Sequence, residues 1–362
     1  MPATPYVLLP RANANRVYGA AAPGLAAAEL GFLARALLPE AGMGDIGPAR
    51  LAGVDYVGFS AGRPLMPDEL ALVGNLAGLH ALYQRAGDGG DLLRPVEAPA
   101  RRVTDDDVVS IQRYPGKTNE QFTHLLVNVT LAAAGDAFPR LLAGDTVRLL
   151  DPVCGRGTAL NRAVVYGMDA VGIEVDGRDV DAWAQFFGTW LKDKRLKHTT
   201  EAARLRRGRA TPARRLAFAY GSERKGPRRR AVIVQDDTVH AGDHVPAKTV
   251  DVMVADLPYG VQHGARPEAG RLSRSPEELL VAALPVWRSL LTRRGALGLA
   301  WNRRTLARSR LVALAADAGL HPAQAPDEES FAHRVDRAIT RDVLVLTREP
   351  HPRLAAGASP PA

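Results

Sequence analysis

The chain has 362 residues, 46% hydrophobic and 24% charged, with a formal net charge of +8 and a single cysteine, Cys154. That composition supports a packed core and excludes wholesale disorder, an internal disulfide framework and a thiolate-rich zinc site. No apolar run approaches the roughly 18–20 residues of a membrane span, and the opening MPATPYVLLPRANANR has neither a basic start nor a signal-length apolar stretch. The expectation is a cytoplasmic protein of two domains, one carrying an insertion, with no membrane partner.

The first 86 residues read as a small α/β unit. Tyr6–Pro10 and Asp55–Ser60 are strand candidates, and Pro23–Leu37 and Pro67–Asn75 carry helical spacing. A strand–helix–strand–strand–helix–strand order fits a ferredoxin-like module. Residues 87–104, rich in Gly, Pro and charge, read as a linker. Thr118, with Gln121 three residues on, predicts a capping box opening a helix through about Leu131. From there strands and helices alternate. Strands are predicted at Val147–Leu150, Ala170–Ile173, Ala231–Val234, Val250–Ala255, Ala296–Trp301 and Asp342–Thr347. The intervening helices are Ala159–Tyr166, one from about Arg178, Ser275–Leu291 and Leu306–Ala318. This alternation predicts a parallel doubly wound sheet with ligands at the carboxyl ends of its strands. The last stretch, 349–362, reads as a disordered tail.

The charge is unevenly spread. Between Lys192 and Arg230 stand 15 Lys or Arg against only Asp193, Glu201 and Glu223, a surplus of 12 that leaves the rest of the chain at −4. A block of this kind attracts phosphates by releasing condensed counterions; a solvated loop is the plainer alternative. Its candidate nucleic-acid contacts are Lys192, Lys194, Arg195, Arg206, Arg207, Arg209, Arg228, Arg229 and Arg230.

After the first strand of the alternating region the chain reads Asp151-Pro-Val-Cys-Gly-Arg-Gly-Thr158. Gly155 and Gly157 let the backbone approach a ligand while the chain turns into a helix. Leu160 replaces the third glycine of a dinucleotide fingerprint, and no Gly-Lys-Ser/Thr makes a phosphate loop. Glu174, ending the next strand, is placed to accept ribose hydroxyls, and Asp236 or Asp237 to bond an exocyclic adenine amine. An ordinary strand–turn–helix junction would explain the glycines alone. With the acidic residues in register, a nucleoside bearing an amino-acid moiety fits better, and S-adenosylmethionine is the candidate cofactor.

Asp256-Leu-Pro-Tyr259-Gly260 follows the fourth strand of the series. An exocyclic amine is a poor nucleophile because its lone pair is delocalised into the ring. A carboxylate at Asp256 and a carbonyl beside Pro258 can accept both amine hydrogens and free that pair. Tyr259 offers a stacking face for a base. The string by itself is also compatible with a simple turn.

Together the two stretches resemble motifs I and IV of class I S-adenosylmethionine-dependent amino-methyltransferases, most closely the tRNA (guanine-10-N2) and ribosomal RNA guanine-N2 methyltransferases. Tyr114-Pro-Gly-Lys-Thr-Asn-Glu120 and Val335-Asp-Arg-Ala-Ile-Thr-Arg-Asp342 resemble the same family, so the likeness covers about residues 105–348. It implies a Rossmann-like class I methyltransferase sheet carrying a small N-terminal unit and the basic insertion 192–230. Asp151, Cys154, Gly155, Gly157 and Thr158 would line the cofactor, Glu174 its ribose and Asp236 or Asp237 its adenine. Asp256, Pro258 and Tyr259 would hold the target base. The expected reaction is methylation of a guanine N2 in RNA, tRNA before ribosomal RNA; a DNA adenine-N6 methyltransferase and a non-catalytic nucleic-acid-binding protein are the alternatives. Leu257 stands where the family commonly has proline. About a hundred N-terminal residues are too few for both a ferredoxin-like unit and a THUMP module, so the basic insertion is expected to grip the RNA backbone instead.

Other candidates carry blander readings. His240 and His244 are spaced i,i+4 without a third ligand nearby and read as satisfied loop histidines, not a metal site. Cys154 lies in the cofactor turn and is not expected to act as a nucleophile. Trp183, Phe186, Phe187 and Trp190 read as core-facing.

Overall fold

The computed structural model describes residues 3–87, 92–205, 213–221, 228–258, 275–323 and 330–354. The N-terminal unit comprises β1 (Thr4–Pro10), α1 (Arg16–Leu37), β2 (Gly44–Leu51), β3 (Val54–Ala61), α2 (Pro67–Val73), β4 (Leu79–Ala86) and β5 (Leu92–Val96). Its strands pair antiparallel in the order β2-β3-β1-β4-β5. The first four strands and two helices give the ferredoxin-like arrangement, and β5 extends it. β5 falls in the stretch read as a linker. It escaped notice because Pro95 interrupts its pattern, which only an edge strand tolerates. The chain beyond it is pinned too: Arg101 Nε donates to the Tyr166 carbonyl (2.9 Å) and the Val103 amide to the Val165 carbonyl (2.9 Å).

The second unit runs α3 (Asp107–Ser110), α4 (Glu120–Ala133), α5 (Ala137–Ala143), β6 (Arg148–Asp151), α6 (Thr158–Tyr166), β7 (Asp169–Glu174), α7 (Gly177–Asp193), β8 (His198–Leu205) and β9 (Ala213–Tyr220). It continues β10 (Arg229–Gln235), β11 (Val250–Asp256), α8 (Pro276–Leu290), β12 (Leu291–Asn302), α9 (Arg308–Asp317), β13 (His321–Pro322), β14 (His333–Arg334) and β15 (Thr340–Thr347). The sheet order is β13-β15-β12-β11-β6-β7-β10-β9-β8, with β14 paired to β15. Its centre, β10-β7-β6-β11-β12, is parallel. With β8 and β9 set aside, those five strands stand in the order third, second, first, fourth, fifth, that of a doubly wound fold. The sheet is mixed and not wholly parallel as expected. β15 returns antiparallel beside β12, after α9 and the short β13 and β14. The basic insertion folds into the antiparallel hairpin β8–β9, which lengthens the sheet beyond β10.

Side chains of β11 alternate between two cores. Val252 and Val254 join the one containing α1, α4 and α7; Met253 and Ala255 join the one built by α8. The first core is continuous with that of the N-terminal unit, because α1 packs on α4. The α1 carboxylate of Glu29 is fully buried there. It accepts Asn128 Nδ2 (2.6 Å) and the Ala77 amide (3.1 Å), and burial pushes its pKa up to about 7. By length and hydropathy α1 would suffice to cross a membrane, contrary to the sequence expectation, yet half of that stretch is buried inside the fold. It begins at Arg16, capped by Asn15, and carries Pro23 in its interior. The supposed tail is partly structured: His351 and Leu354 are buried, and Arg353 reaches the Ala36 carbonyl.

Candidate active site

The glycine turn leaves β6 and enters α6. Gly155 and Gly157 both adopt left-handed backbone (φ 50° and 73°). At Gly157 sterics add to conformation, since a Cβ there would lie 2.3 Å from Trp183 Cδ1. The indole itself is held by Asn161 Oδ1 at 3.0 Å. Gly157 thus serves close packing of Trp183 against the turn. A Cβ on Gly155 would meet nothing, and Gly155 lines the cavity described below. Cys154 is buried over Gly172, and burial together with Asp151 and Glu174 drives its thiol pKa well up, so it is no nucleophile. Trp183, Phe187 and Trp190 stack in series at centroid distances of 5.0 and 6.0 Å within the core, with Phe186 packed at its edge.

Asp151 ends β6, and Asp256 ends the neighbouring parallel strand β11. Two segments from distant parts of the chain converge on Asp256. Thr118 Oγ1 donates to its Oδ2 at 2.5 Å, and the Arg341 guanidinium of β15 lies 3.7 Å from the same oxygen. Arg341 is also stacked over Phe122 at 4.4 Å. Thr118 therefore does not cap α4 as expected; Asn119 does, accepting the Gln121 and Phe122 amides, which leaves the threonine hydroxyl free for Asp256. The Leu257 amide is fixed by the Ala300 carbonyl (2.8 Å), holding the start of the loop against β12. Leu257 is buried and Pro258 exposed. Tyr259 and Gly260 lie outside the described residues.

Tyr114 and Pro115 cover the glycine turn. The Tyr114 hydroxyl lies 3.1 Å from Thr158 Oγ1, and its ring sits under Arg156 at 4.9 Å, itself paired with Asp179. Asp151, Cys154, Gly155, Thr158, Asp256 and Tyr114 all line one cavity of about 310 Å³. It sits between the carboxyl ends of β6 and β11, where the strand order reverses and such folds bind ligands.

The cavity is electrostatically incomplete. Burial, then the charges of Asp256 and Glu174, push the Asp151 carboxyl up to about 8 despite the Val153 amide (3.1 Å). Glu174, close to the cavity but not in its lining, is likewise raised by burial, while its two oxygens accept the Gly155 (2.9 Å) and Asp176 (2.8 Å) amides. Clustered carboxylates beside glycine backbone suit a guest with positive charge. The sulfonium and ammonium groups of S-adenosylmethionine would meet that requirement, and Asp151 lines the cavity that would receive them.

The other acidic candidates are placed differently. Asp236 accepts His244 Nε2 at 2.6 Å and its oxygens also meet His240 (3.3 Å) and the Asp237 amide (2.7 Å). Burial would raise its carboxyl, but these bonds outweigh it and the pKa falls. Asp237 caps the 3₁₀ turn Thr238–Asp243 through the Val239 amide. Neither lines the cavity. Both histidines bond Asp236, but His244 is not fully satisfied as the sequence suggested, since its buried Nδ1 has no partner.

Of the basic candidates, Lys194 is bound by Asp105 and Asp107, and Arg229 is buried against Thr146 and the Gly144 carbonyl. Arg228 leans on Thr199 and the Ala219 carbonyl. Lys192, Arg195 and Arg230 are exposed, and Arg206, Arg207 and Arg209 lie outside the described residues. Sequence reasoning missed Tyr114, Thr118 and Arg341 as site residues, although the stretches containing them had carried the family resemblance.

No family model and no curated protein matches the sequence. Among solved structures, the chain is similar to TrmN from Thermus thermophilus (16% identity, TM-score 0.38, 81% of this chain and 57% of that one). It is also similar to a TehB-like SAM-dependent methyltransferase from Corynebacterium glutamicum (18%, TM-score 0.33, 60% of this chain and 92% of that one). A third is an rRNA methylase from Streptococcus thermophilus (8%, TM-score 0.33, 59% of this chain and 95% of that one). The chain thus spans little over half the length of TrmN, and these are distant resemblances that carry no inference about substrate.

Proposed function

We propose that the protein is an S-adenosylmethionine-dependent N-methyltransferase acting on RNA, with the exocyclic N2 of a guanine in tRNA as the favoured target. The observation that carries this reading is the meeting of Asp151 and Asp256 in one cavity, with Asp256 oriented by Thr118 and Arg341. The cofactor, when bound beside Asp151, supplies an electrophilic methyl carbon. Every other contribution comes from the chain. Asp256, fixed on both sides, accepts one amine hydrogen, and a backbone carbonyl beside Pro258 would accept the other. The nitrogen then keeps its lone pair out of the ring, and the proton it sheds on gaining a methyl group passes toward Asp256 or solvent. Positioning and hydrogen-bond acceptance, not a covalent adduct, lower the barrier. The raised thiol of Cys154 agrees, because a thiolate adduct would need the opposite.

The choice of guanine and of tRNA rests on the resemblance of Asp151–Thr158 and Asp256–Gly260 to the guanine-N2 enzymes. Incubation with methyl-labelled cofactor and, separately, bulk tRNA, ribosomal RNA and genomic DNA tests it, with the modified nucleoside identified by mass spectrometry. N2-methylguanosine in tRNA is the expected product. N6-methyladenine in DNA, or no transfer to any of the three, overturns the reading.

A further inference from the structure

We infer that a second cleft, between the ferredoxin-like unit and the sheet bearing the cavity, binds phosphates of the RNA strand that carries the target base. The inference rests on the function proposed above. The cleft encloses about 640 Å³, and Tyr114 and Thr118 belong to its wall as well as to that of the catalytic cavity. A base drawn into the smaller cavity remains attached to its strand on both sides, so its flanking phosphates must leave through the mouth. Here the cleft adjoins the cavity across Tyr114 and Thr118.

Its lining suits that passenger. Arg11, from the loop after β1, and Arg113, before α4, are both exposed on its walls, and among the described residues neither is paired with a carboxylate. Arg162 is 8% exposed, pairs with Asp106 at 3.2 Å on one side, and leaves its Nε without a hydrogen-bond partner. Lys117 is neutralised by Glu120. The balance is thus two free guanidinium groups beside Arg162, whose unpartnered Nε is itself buried. Nearby His124 feels that surplus: burial first, then Arg162, Arg11 and Arg102, hold its pKa well below the ordinary histidine value. The rim is rich in amides. Asn13 Nδ2 donates to Gln121 Oε1 (2.8 Å) and Asn119 Nδ2 to Asn13 Oδ1 (3.2 Å), tying the Arg11 loop to the start of α4. Cations and amides gathered in this way recognise phosphate and sugar. The ferredoxin-like unit then contributes to RNA binding through Arg11 at the seam, not through a separate surface.

The test uses the full chain and total tRNA as probe, with affinity measured across salt concentrations. In the double variant Arg11→Glu/Arg113→Glu the Kd for tRNA should rise at least about tenfold, and the slope of log K against log salt should fall by about two. The KM for tRNA should rise while kcat at saturating RNA holds, cofactor affinity by calorimetry should be unchanged, and Arg11→Lys/Arg113→Lys should restore binding. The matched control variant Lys192→Glu/Arg195→Glu, at the end of α7 ahead of β8, should bind as wild type. Wild-type affinity and slope in the cleft variant, or loss confined to the control variant, overturns the cleft. Wild-type protein that binds tRNA through the cleft yet transfers no methyl group sinks the methyltransferase reading and leaves the cleft standing.

Discussion

The hairpin β8–β9 and the cavity between β6 and β11 are opposite ways of using charge. The hairpin comes from the most basic part of the sequence, where folding already engages some of that charge: Lys194 pairs with two aspartates, Arg214 with Asp181, and Arg229 is buried against the Thr146 hydroxyl and Gly144 carbonyl. The cavity and adjoining cleft draw ordinary numbers of charges from scattered positions and leave some of them unmatched. Asp151 is buried near the charges of Glu174 and Asp256, while among the described residues Arg11 and Arg113 lack acidic partners. Charge that folding has already satisfied serves stability; charge left unsatisfied at a strand-order reversal is available to a guest.

The largest expected effect falls on Asp256. Asp256→Asn keeps the size and an oxygen for Thr118 but removes the charge facing Arg341 and one acceptor for the substrate amine. Methyl transfer should drop about 10²- to 10⁴-fold, with cofactor affinity by calorimetry changed no more than a few fold. A variant turning over at the wild-type rate would remove Asp256 from the chemistry.

A smaller effect is expected at the base of the hairpin. Arg229→Met loses the bonds to Thr146 Oγ1 (2.9 Å) and the Gly144 carbonyl (3.1 Å) from a buried guanidinium. Unfolding by urea should show a loss of about 2 kcal/mol, with tRNA affinity unaltered. Weakened RNA binding in a protein of unchanged stability would place Arg229 back on the nucleic-acid surface.

The sequence exposed the centre of the sheet because its strands are short apolar runs followed by acidic and glycine punctuation, as at Val147–Asp151 and Val250–Asp256. The edges were harder to read. β8 is exposed along residues 199–204, so no apolar alternation marks it, and β2 contains Gly47 and Pro48. Within the site, Asp151, Gly155 and Asp256 were legible since local spacing sets their place at strand ends. Thr118 and Arg341 were not. Their roles arise from pairings across 138 and 85 residues, and at Thr118 the local pattern pointed to a helix cap instead. Gly157 was legible as a glycine position, but the Trp183 ring that demands it comes from another helix.

The smallest expected effect bears on the unmatched charge most directly. With its pKa near 8, Asp151 is mainly protonated at pH 7 in the free protein, where an ordinary aspartate would be ionised. For stability the sign follows from the raised value: Asp151 favours the folded state below the unfolded carboxyl range, and that contribution is lost as pH rises through 8. A bound cation reverses the balance by favouring the carboxylate. S-adenosylmethionine binding at pH 7 should therefore release a proton, up to one per molecule, and its affinity should climb as pH approaches 8 and level off above it. Calorimetry in two buffers of different ionisation heat reads the proton directly. Adenosine, lacking both the sulfonium and the amino-acid moiety, should release none. Equal proton release by adenosine would mean that the group being discharged does not face the positive end of the cofactor, and Asp151→Asn abolishing release with S-adenosylmethionine would identify the carboxyl responsible.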